Sequence, residues 1–290
     1  MAVGTDIKTY VNGVWHDADM PIMSAADHGA WLGTTVFDGA RYVDGMAPDL
    51  KAHCERVVRS ARALMLHPGV SGQQIFEIAW DGLKRYPKDA AVYVRPMLWG
   101  IDGGAYGILP AETEAGFCVC LERVPMAPPE AAVRLTRTQF HRPVLTDNVC
   151  NAKAGCLYPN NARMLAEAKA KGYDNALVAD ALGNVAETAT ANVFMVRDGV
   201  VFTPIPNGTF LDGITRQRHI ANLRADGVEV VETVLSFDDF KQADEVFLSG
   251  NLNKVTPVAE FDGTPYEHGP ITRRVRALYW DWAADAVAAA

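Results

Sequence analysis

The order of strand and helix patterns along this sequence is the feature that most restricts its fold. Apolar residues recur with helical spacing over residues 48–69, 72–85, 157–171 and 213–227, and strand-like apolar runs lie around and between these segments. The two patterns are mixed without the strict alternation that a doubly wound parallel sheet requires. No glycine-rich nucleotide motif of the GxGxxG or GxxxxGK[ST] type occurs. The sequence therefore predicts an α+β fold with mixed or antiparallel sheets.

A proline-rich stretch near the middle divides the chain. VPMAPPEAA, which begins at Val124, contains three prolines within five residues and has little apolar periodicity. Such composition is typical of a connection between domains. We predict a small N-terminal domain over residues 1–124, a linker over 125–134 and a larger C-terminal domain over 135–290.

Composition excludes several classes of function. Of the 290 residues, 49% are hydrophobic and 21% are charged, which is enough apolar material for a sizeable core. The net charge of −8 without a basic stripe argues against nucleic acid as a partner. No apolar run reaches the roughly 20 residues that span a membrane, and the N-terminus lacks a signal pattern. The five cysteines show no CxxC, so we expect no metal site, and reduced thiols in the cytoplasm.

One lysine has unusual neighbours. VCNAKAGCLYPNN places Lys153 among small and apolar residues at the entrance to a predicted helix. Because burial disfavours the charged form, an amine in such surroundings is expected to act as a nucleophile toward carbonyls. A surface lysine at a loop–helix junction is the alternative interpretation. Tyr158 lies five residues later, where its phenol can reach the same site or can be an ordinary half-buried tyrosine.

Two further segments suggest binding groups for a charged ligand. VAETATANVF contains Glu187 among alanines and threonines, where a carboxylate requires a cationic partner such as a protonated pyridine or a nearby arginine. FLDGITRQR begins a helix with Gly213, Ile214 and Thr215 in its first turn. Free N–H groups, the helix dipole and one hydroxyl favour phosphate binding there, with simple helix capping as the alternative.

Together these segments resemble the fold-type IV, pyridoxal-phosphate-dependent aminotransferases, and most closely the branched-chain amino-acid aminotransferases. The similarity covers nearly the whole chain and is strongest from Lys153 to Thr256. Its most specific motifs are NAKAGCLY, KGYD, GITR and ADEVFLSG.

The resemblance implies a role at the cofactor for each matching residue. Lys153 would carry pyridoxal 5′-phosphate as a Schiff base, the internal aldimine, and Tyr158 would hydrogen-bond the phenolic oxygen of the cofactor. Glu187 would pair with the pyridine nitrogen, with Asn192 as local support. The residues implied around the phosphate and its neighbourhood are Arg56, Ile214, Thr215, Gly250 and Asn251.

The first half of the chain is implied to form most of the substrate pocket. TTVFDGARYV resembles the FEGIR signature, and VYVRP resembles the YxRP pair that handles substrate carboxylates. Leu32 stands where a tyrosine is usual, and SGNLNKVTP departs from SGTAAEITP. An apolar wall with an arginine at its rim would accept an aliphatic side chain in one half-reaction and the γ-carboxylate of glutamate in the other. The candidate substrate-binding residues are Phe37, Gly39, Arg41, Tyr93, Arg95, Leu32 and Leu252.

The resemblance implies a ping-pong transaminase that moves an amino group between an aliphatic or branched-chain L-amino acid and a 2-oxo acid such as 2-oxoglutarate. A homodimer or higher homo-oligomer is also implied, with the loop GIDGGAYGILP reaching the neighbouring subunit. Because Leu32 and the SGNLNK loop are unusual, an (R)-amine or D-amino acid transaminase of the same fold stays open. A 4-amino-4-deoxychorismate lyase would leave the motifs of the first half unexplained. A non-enzymatic cofactor-binding module should have lost at least one of the cofactor residues.

Overall fold

In a computed structural model, which describes residues 4–288, the chain divides into two compact units. The first unit contains the chain up to Met126 together with residues 151–157, and the second contains residues 127–150 and the chain from Tyr158 onward. We call residues 151–157 the lysine segment. The break after Met126 lies within the stretch that its prolines indicate as a linker. The lysine segment groups with the first unit, although the sequence predicts it within the C-terminal domain.

The first unit is built around one antiparallel sheet. Its elements are β1 (Thr5–Val11), β2 (Val14–His16), α1 (His28–Leu32), β3 (Thr35–Phe37), β4 (Ala40–Tyr42), α2 (Leu50–Ala63), α3 (Gly72–Leu83), β5 (Val92–Trp99) and β6 (Gly116–Arg123). The strand order is β2-β1-β6-β5-β3, and β4 also pairs with β5. All of these pairs are antiparallel.

The second unit contains a larger mixed sheet. Its elements are β7 (Val133–His141), α4 (Tyr158–Ala170), β8 (Asn175–Ala179), β9 (Val185–Thr188), β10 (Asn192–Arg197), β11 (Val200–Pro204), α5 (Ile214–Ala225), β12 (Val230–Thr233), α6 (Phe237–Lys241), β13 (Glu245–Gly250), β14 (Lys254–Phe261), β15 (Thr264–Pro265) and α7 (Pro270–Ala288). The order is β12-β11-β10-β13-β14-β7-β8-β9, with β15 paired to β14. Strand β7 runs parallel to β8 and β14, and β11 runs parallel to β12. The predicted α+β class with mixed and antiparallel sheets is confirmed.

Local sequence explains several of these boundaries. Asp198 and Gly199 both have positive φ, 51° and 77°, which is the backbone of a two-residue type I′ hairpin between β10 and β11. Ser71 begins α3 through a capping box in which its side chain accepts from the Gln74 N–H. Of the helices in residues 4–288, none is long and apolar enough to cross a bilayer.

The core of the first unit lies on one side of its sheet. Helices α2 and α3 pack against β5 and β6. The side chains that meet there are fully buried, and they include Val57, Ile75, Val94 and Leu121. Fully burying an aliphatic side chain contributes roughly 1.5–3 kcal/mol, so this layer fixes which face of the sheet is turned toward the helices. Because side chains alternate along a strand, Tyr93 and the other odd-numbered residues of β5 lie on the opposite face.

The second unit buries aromatic rings around β10 and β13. Phe194 and Phe247 stack with their ring centroids 4.9 Å apart, and His219 of α5 lies edge-on to Phe194. Helix α7 is anchored by the buried carboxylate of Glu245, which accepts from the Ile271 N–H (3.0 Å) and the Thr272 N–H (2.8 Å). These contacts hold α5 and α7 against the sheet.

Candidate active site

Lys153 lies in the lysine segment, which runs alongside β3 of the first unit. The Phe37 N–H donates to the Lys153 carbonyl oxygen (3.2 Å), and the Lys153 N–H donates to Oγ of Ser60 (3.1 Å). Gly155 permits this close approach, because a Cβ there would lie 2.2 Å from Oγ1 of Thr35. The Lys153 Nζ lies 4.9 Å from the centroid of the Phe37 ring. The lysine is therefore fixed at both backbone groups, and its amine is held against an aromatic ring.

Four of the predicted substrate residues share the sheet face opposite α2 and α3. Arg41 of β4 lies opposite Tyr93 of β5, and Phe37 of β3 lies opposite Met97. We call this side of strands β3 to β6 the arginine face. The register places on it Thr35, Phe37, Arg41, Tyr93, Arg95, Met97, Trp99, Gly116, Cys118, Cys120 and Glu122.

Arg95 forms an ion pair with Glu122 on the neighbouring strand. Its Nη1 lies 2.5 Å from Oε1 of Glu122, whose side chain is fully buried. The Gly4 N–H donates to the other carboxylate oxygen (2.9 Å), which holds Glu122 in place. The Arg95 guanidinium also lies over the Tyr93 ring, 5.3 Å from its centroid. Arg95 is thus fixed on the arginine face by a carboxylate of the same sheet.

Arg41 is fully buried and has a different environment. Its Nη2 donates to the Val124 carbonyl oxygen (2.5 Å) and contacts Sδ of Met126 (3.1 Å). Its Nε and Nη1 have no hydrogen-bond partner among the described residues. Burial lowers the pKa of Arg41 to about 10, and Tyr93 partly opposes this. Because a guanidinium is still charged at neutral pH, its two unpaired groups suit an anionic ligand.

Asp38 holds Arg56 in place. Its carboxylate accepts from Arg56 Nε (2.6 Å) and Nη2 (2.8 Å), from His53 Nδ1 (2.7 Å) and from the Gly39 N–H (2.7 Å). Burial alone would raise the pKa of Asp38, but the positive partners Arg56 and His53 outweigh it and hold this pKa well below its usual range. The predicted phosphate ligand Arg56 is therefore oriented by a buried carboxylate, and Gly39 lies in the turn that this carboxylate closes.

Glu187 of β9 belongs to the second unit and has an arginine partner there. Its Oε1 lies 3.1 Å from Nε of Arg142. That N–H makes no well-aligned hydrogen bond among the described residues, so the contact is a charge pair. Arg142 is itself fixed by the Asn161 side chain and by the Thr188 carbonyl oxygen. Asn192 Nδ2 lies 3.4 Å from Oε2 of Glu187, in agreement with local support of this carboxylate.

The first turn of α5 lies beside Asn192. Gly213 is the N-cap residue, and without a side chain it leaves the N–H groups of this turn uncapped. A Cβ at Gly213 would lie 2.3 Å from Oδ1 of Asn192, and Asn192 Nδ2 donates to the Leu211 carbonyl oxygen (3.0 Å). Ile214 and Thr215 follow, and Thr215 is buried. The sequence thus produces a close-packed helix N-terminus suited to an anion.

The turn between β13 and β14 contains two buried polar atoms that lack partners among the described residues. They are Oγ of Ser249, which pairs across strands with Asn192, and Nδ2 of Asn251. Gly250 lies between them and would bring a Cβ within 3.1 Å of Ala191. The side-chain oxygen Oδ1 of Asn251 accepts a hydrogen bond from Nζ of the buried Lys254 (2.6 Å). Asn251 is thus oriented with its amide nitrogen available for a ligand.

The other predicted residues are partly exposed. Tyr158 is the first residue of α4 and directly follows the lysine segment. Leu32 is the last residue of α1, and Leu252 lies at the tip of the β13–β14 turn. All three expose between 37% and 47% of their surface. The two leucines therefore present apolar surface where the family pattern has tyrosine and alanine.

The described residues offer each kind of group that pyridoxal phosphate requires. The aldehyde requires a primary amine in a restricted environment, which Lys153 provides. The phosphate requires N–H donors, which the first turn of α5 and Nδ2 of Asn251 provide. The ring nitrogen requires a fixed carboxylate, which Glu187 provides. The donor set therefore fits this cofactor.

The sequence did not predict the pairings of four further residues in these clusters. They are Asp38, His53, Glu122 and Arg142. Asp38 and His53 had a usable signal, because both lie within motifs already matched to the family, in TTVFDGARYV and HCERVVRSA. Glu122 and Arg142 had none, since their partners are 27 and 45 residues away along the chain and depend on strand register.

Comparison with known proteins identifies relatives along almost the entire chain. The family model "Amino-transferase class IV" matches residues 35–261. The branched-chain-amino-acid aminotransferase of Escherichia coli K12 is 31% identical over 281 residues, covering 92% of this chain and 88% of that protein. An aminotransferase from Brucella abortus bound to PLP superposes with a TM-score of 0.94 at 53% identity, covering 96% and 99% of the two chains. The branched-chain aminotransferase of the archaeon Thermoproteus uzoniensis with norvaline gives a TM-score of 0.84 at 26% identity, covering 94% and 93%.

Proposed function

The chain belongs to the class IV aminotransferases, and from this premise we propose that it transfers an amino group between an aliphatic or branched-chain L-amino acid and a 2-oxo acid. It is a pyridoxal-phosphate-dependent transaminase. The observation that carries the assignment of its reactive group is the environment of Lys153. Both backbone groups of this lysine are hydrogen-bonded, and its amine is held over the ring of Phe37.

The proton transfers are assigned to the amine of Lys153. When bound, pyridoxal phosphate supplies an aldehyde that condenses with amines and a ring that accepts electrons. With the cofactor bound, the Lys153 amine would be the base that removes a proton from the substrate carbon and the acid that returns it. The Phe37 ring covers one side of Nζ and so restricts the positions that the amine can take.

Two residues of the second unit fix the charge at the ring nitrogen. Glu187 would provide the carboxylate that keeps this nitrogen protonated, and Arg142 orients that carboxylate through the contact between Nε and Oε1. Asn192 limits its movement through the contact with Oε2. The N–H groups of Ile214 and Thr215 in the first turn of α5 would hold the phosphate.

The substrate is held by the arginine face. The unpaired Nε and Nη1 of buried Arg41, beside Tyr93, suit a substrate carboxylate. Phe37 and Met97 offer apolar surface for an aliphatic side chain. A substrate carboxylate would give the Arg41 Nε and Nη1 groups the partners that they lack among the described residues, which an amine without a carboxylate cannot do. This argues for amino acids as the natural substrates.

Replacement of the lysine tests the assignment. In Lys153→Ala the transamination rate of L-leucine with a 2-oxo acid should fall by about a hundredfold or more, because the general acid–base is lost. Borohydride reduction of the holoprotein followed by peptide mass spectrometry should place the cofactor adduct on Lys153 in the wild type and nowhere in the variant. Lys169→Ala, which removes an exposed lysine of α4, is the matched control and should behave as wild type. An adduct on another peptide, or an unchanged rate in Lys153→Ala, would overturn the assignment.

The same assay decides the class of donor. L-leucine, D-alanine and (R)-1-phenylethylamine are compared under identical conditions. Activity with L-leucine supports the proposal, and activity confined to either of the other two would refute it.

We also propose that the enzyme acts in the cytoplasm as a homodimer. The loop after β5 exposes Tyr106 fully and Ile108 by 64%, which is apolar surface that a second copy would cover. Free rather than bridged cysteines agree with a reducing compartment. Light scattering of the purified protein tests the dimer, and a monomer at micromolar concentration would contradict it.

A further inference from the structure

The charges on the arginine face do not balance. Among the residues that the register places on this face, the charged ones are Arg41, Arg95 and Glu122. Two positive charges less one negative charge leave one positive charge. A face that binds one substrate carboxylate is neutral when occupied, whereas a face that binds two carboxylates carries an excess negative charge.

The single carboxylate is assigned to one of the two arginines. Glu122 lies 2.5 Å from Arg95 and is fully buried, and the Gly4 N–H fixes its other oxygen. Arg41, by contrast, donates to a carbonyl oxygen and a thioether sulfur, and it lacks a carboxylate partner among the described residues. Arg95 is therefore neutralised by the protein itself, and Arg41 keeps its charge for a ligand.

This distribution of charge determines whether a second substrate carboxylate can bind. To bind Arg95, such a group must either approach Glu122 or displace it from a buried pair. Like charges in close contact repel each other, and removal of one partner from a buried pair leaves the other charge uncompensated. Both routes are unfavourable, so the pair acts against dicarboxylic substrates.

We infer that this enzyme selects amino acids and 2-oxo acids with a single carboxylate in both half-reactions, because Glu122 occupies the guanidinium that would otherwise bind the second carboxylate. The inference rests on the proposed transaminase function and narrows its acceptor. It differs from the expectation, drawn from the resemblance, that an arginine at the rim also accepts the γ-carboxylate of glutamate, and the test below decides between the two.

The test uses acceptors that differ at one end. 2-Oxopentanoate and 2-oxoglutarate have the same chain length and differ in a methyl group against a carboxylate. With L-leucine as donor, the wild-type holoenzyme should have a kcat/KM for 2-oxopentanoate at least about tenfold higher, mainly through KM. In Glu122→Gln, which keeps the size of the side chain and removes its charge, kcat/KM for 2-oxoglutarate should rise by about tenfold. The double variant with Arg95→Gln should lose this gain.

Binding without turnover gives an independent readout. Calorimetry with pentanoate and glutarate should show the wild-type protein preferring pentanoate and Glu122→Gln losing that preference. Glu229→Gln is the control, because it removes an exposed carboxylate of the second unit. It should leave unchanged both the kcat/KM ratio of the two acceptors and the affinity ratio of pentanoate and glutarate. Thermal melting verifies that the variants are folded.

The outcomes separate the two hypotheses. If the wild type uses 2-oxoglutarate as well as 2-oxopentanoate, or if a folded Glu122→Gln leaves the ratio unchanged, the inference is wrong while the transaminase assignment stands. If neither acceptor is aminated by any variant, the proposed function itself fails. If Glu122→Gln does not fold, two wild-type measurements decide whether the inference holds. They are the ratio of kcat/KM for 2-oxopentanoate to that for 2-oxoglutarate, and the affinity for glutarate relative to pentanoate.

Discussion

Replacement of Asp38 by asparagine is the most direct test of how the first unit holds its site. The carboxylate accepts four hydrogen bonds, two of them from Arg56 and one each from His53 and Gly39. An asparagine offers one acceptor oxygen and turns an NH2 group toward the remaining donors. Whichever way the amide lies, at least one donor of Arg56 faces another donor, and the charge that balances Arg56 is gone.

The expected loss of stability is large because Asp38 is fully buried. Removing one partner of a buried ion pair costs about 3–5 kcal/mol. Asp81→Asn is the matched control, since Asp81 forms an exposed i,i+4 pair with Arg85 at 3.8 Å. Exposed pairs of this kind contribute about 0–1 kcal/mol. Urea unfolding of the cofactor-free protein should therefore separate the two variants by several kcal/mol.

The difference in unfolding free energy between the wild type and Asp38→Asn should also depend on pH. The pKa of Asp38 is lowered in the folded protein, so its contribution is fully present above the unfolded pKa of about 3.9 and is lost as the pH falls toward the folded pKa. The two proteins should accordingly become more similar in stability below about pH 4. Hydrogen exchange of peptides covering residues 37–43 should report faster opening in the variant at neutral pH. Two results would refute the reasoning. One is a loss of unfolding free energy in Asp38→Asn no larger than that in Asp81→Asn. The other is a stability difference between wild type and Asp38→Asn that grows as the pH falls.

Two further predictions concern the second unit and the thiols. Gly213→Ala should weaken the binding of pyridoxal phosphate to the cofactor-free protein by about tenfold, because the added Cβ meets Oδ1 of Asn192 at 2.3 Å and overpacking costs roughly 1–3 kcal/mol. Fluorescence titration measures this, and an unchanged Kd would show that the first turn of α5 does not hold the cofactor. A thiol-alkylating reagent at pH 7 should modify the exposed Cys156 and spare Cys54, Cys118 and Cys120, because burial raises the pKa of each of these three to about 12. Mass spectrometry should find all five cysteines modified in denaturant, and early modification of Cys54 in native protein would contradict the buried core.

Local patterns predicted much of the fold. The segments with helical spacing correspond to α2, α3, α4 and α5, and the Asp198-Gly199 pair forms the expected hairpin. These features depend on periodicity, caps and turn residues, which are written in neighbouring positions. The grouping of the lysine segment with the first unit was not predicted, because it depends on contacts with β3 and α2 more than 90 residues earlier.

The candidate site was predicted in its residue types but not in its pairings. Lys153, Glu187 and Arg95 stand out by their neighbours or motifs, whereas the partners of the last two follow from sheet geometry. The Arg95–Glu122 pair needs the register of β5 against β6, and the Glu187–Arg142 pair needs the register of β8 against both β7 and β9. Neither register can be read from alternation alone, since a shift by two residues preserves the pattern.

The membership of the lysine segment in the first unit has a consequence for biosynthesis. A ribosome completes the first 126 residues, with Arg41 and Arg95 of the arginine face, well before it reaches Lys153. Until then β3, the last strand in its sheet, lacks the backbone contacts that its outer edge makes with Lys153 and Ala154. A nascent or truncated polypeptide that stops short of residue 151 therefore carries the anion-binding groups without the amine. A gene divided after codon 126 would encode two products, neither of which contains a whole first unit.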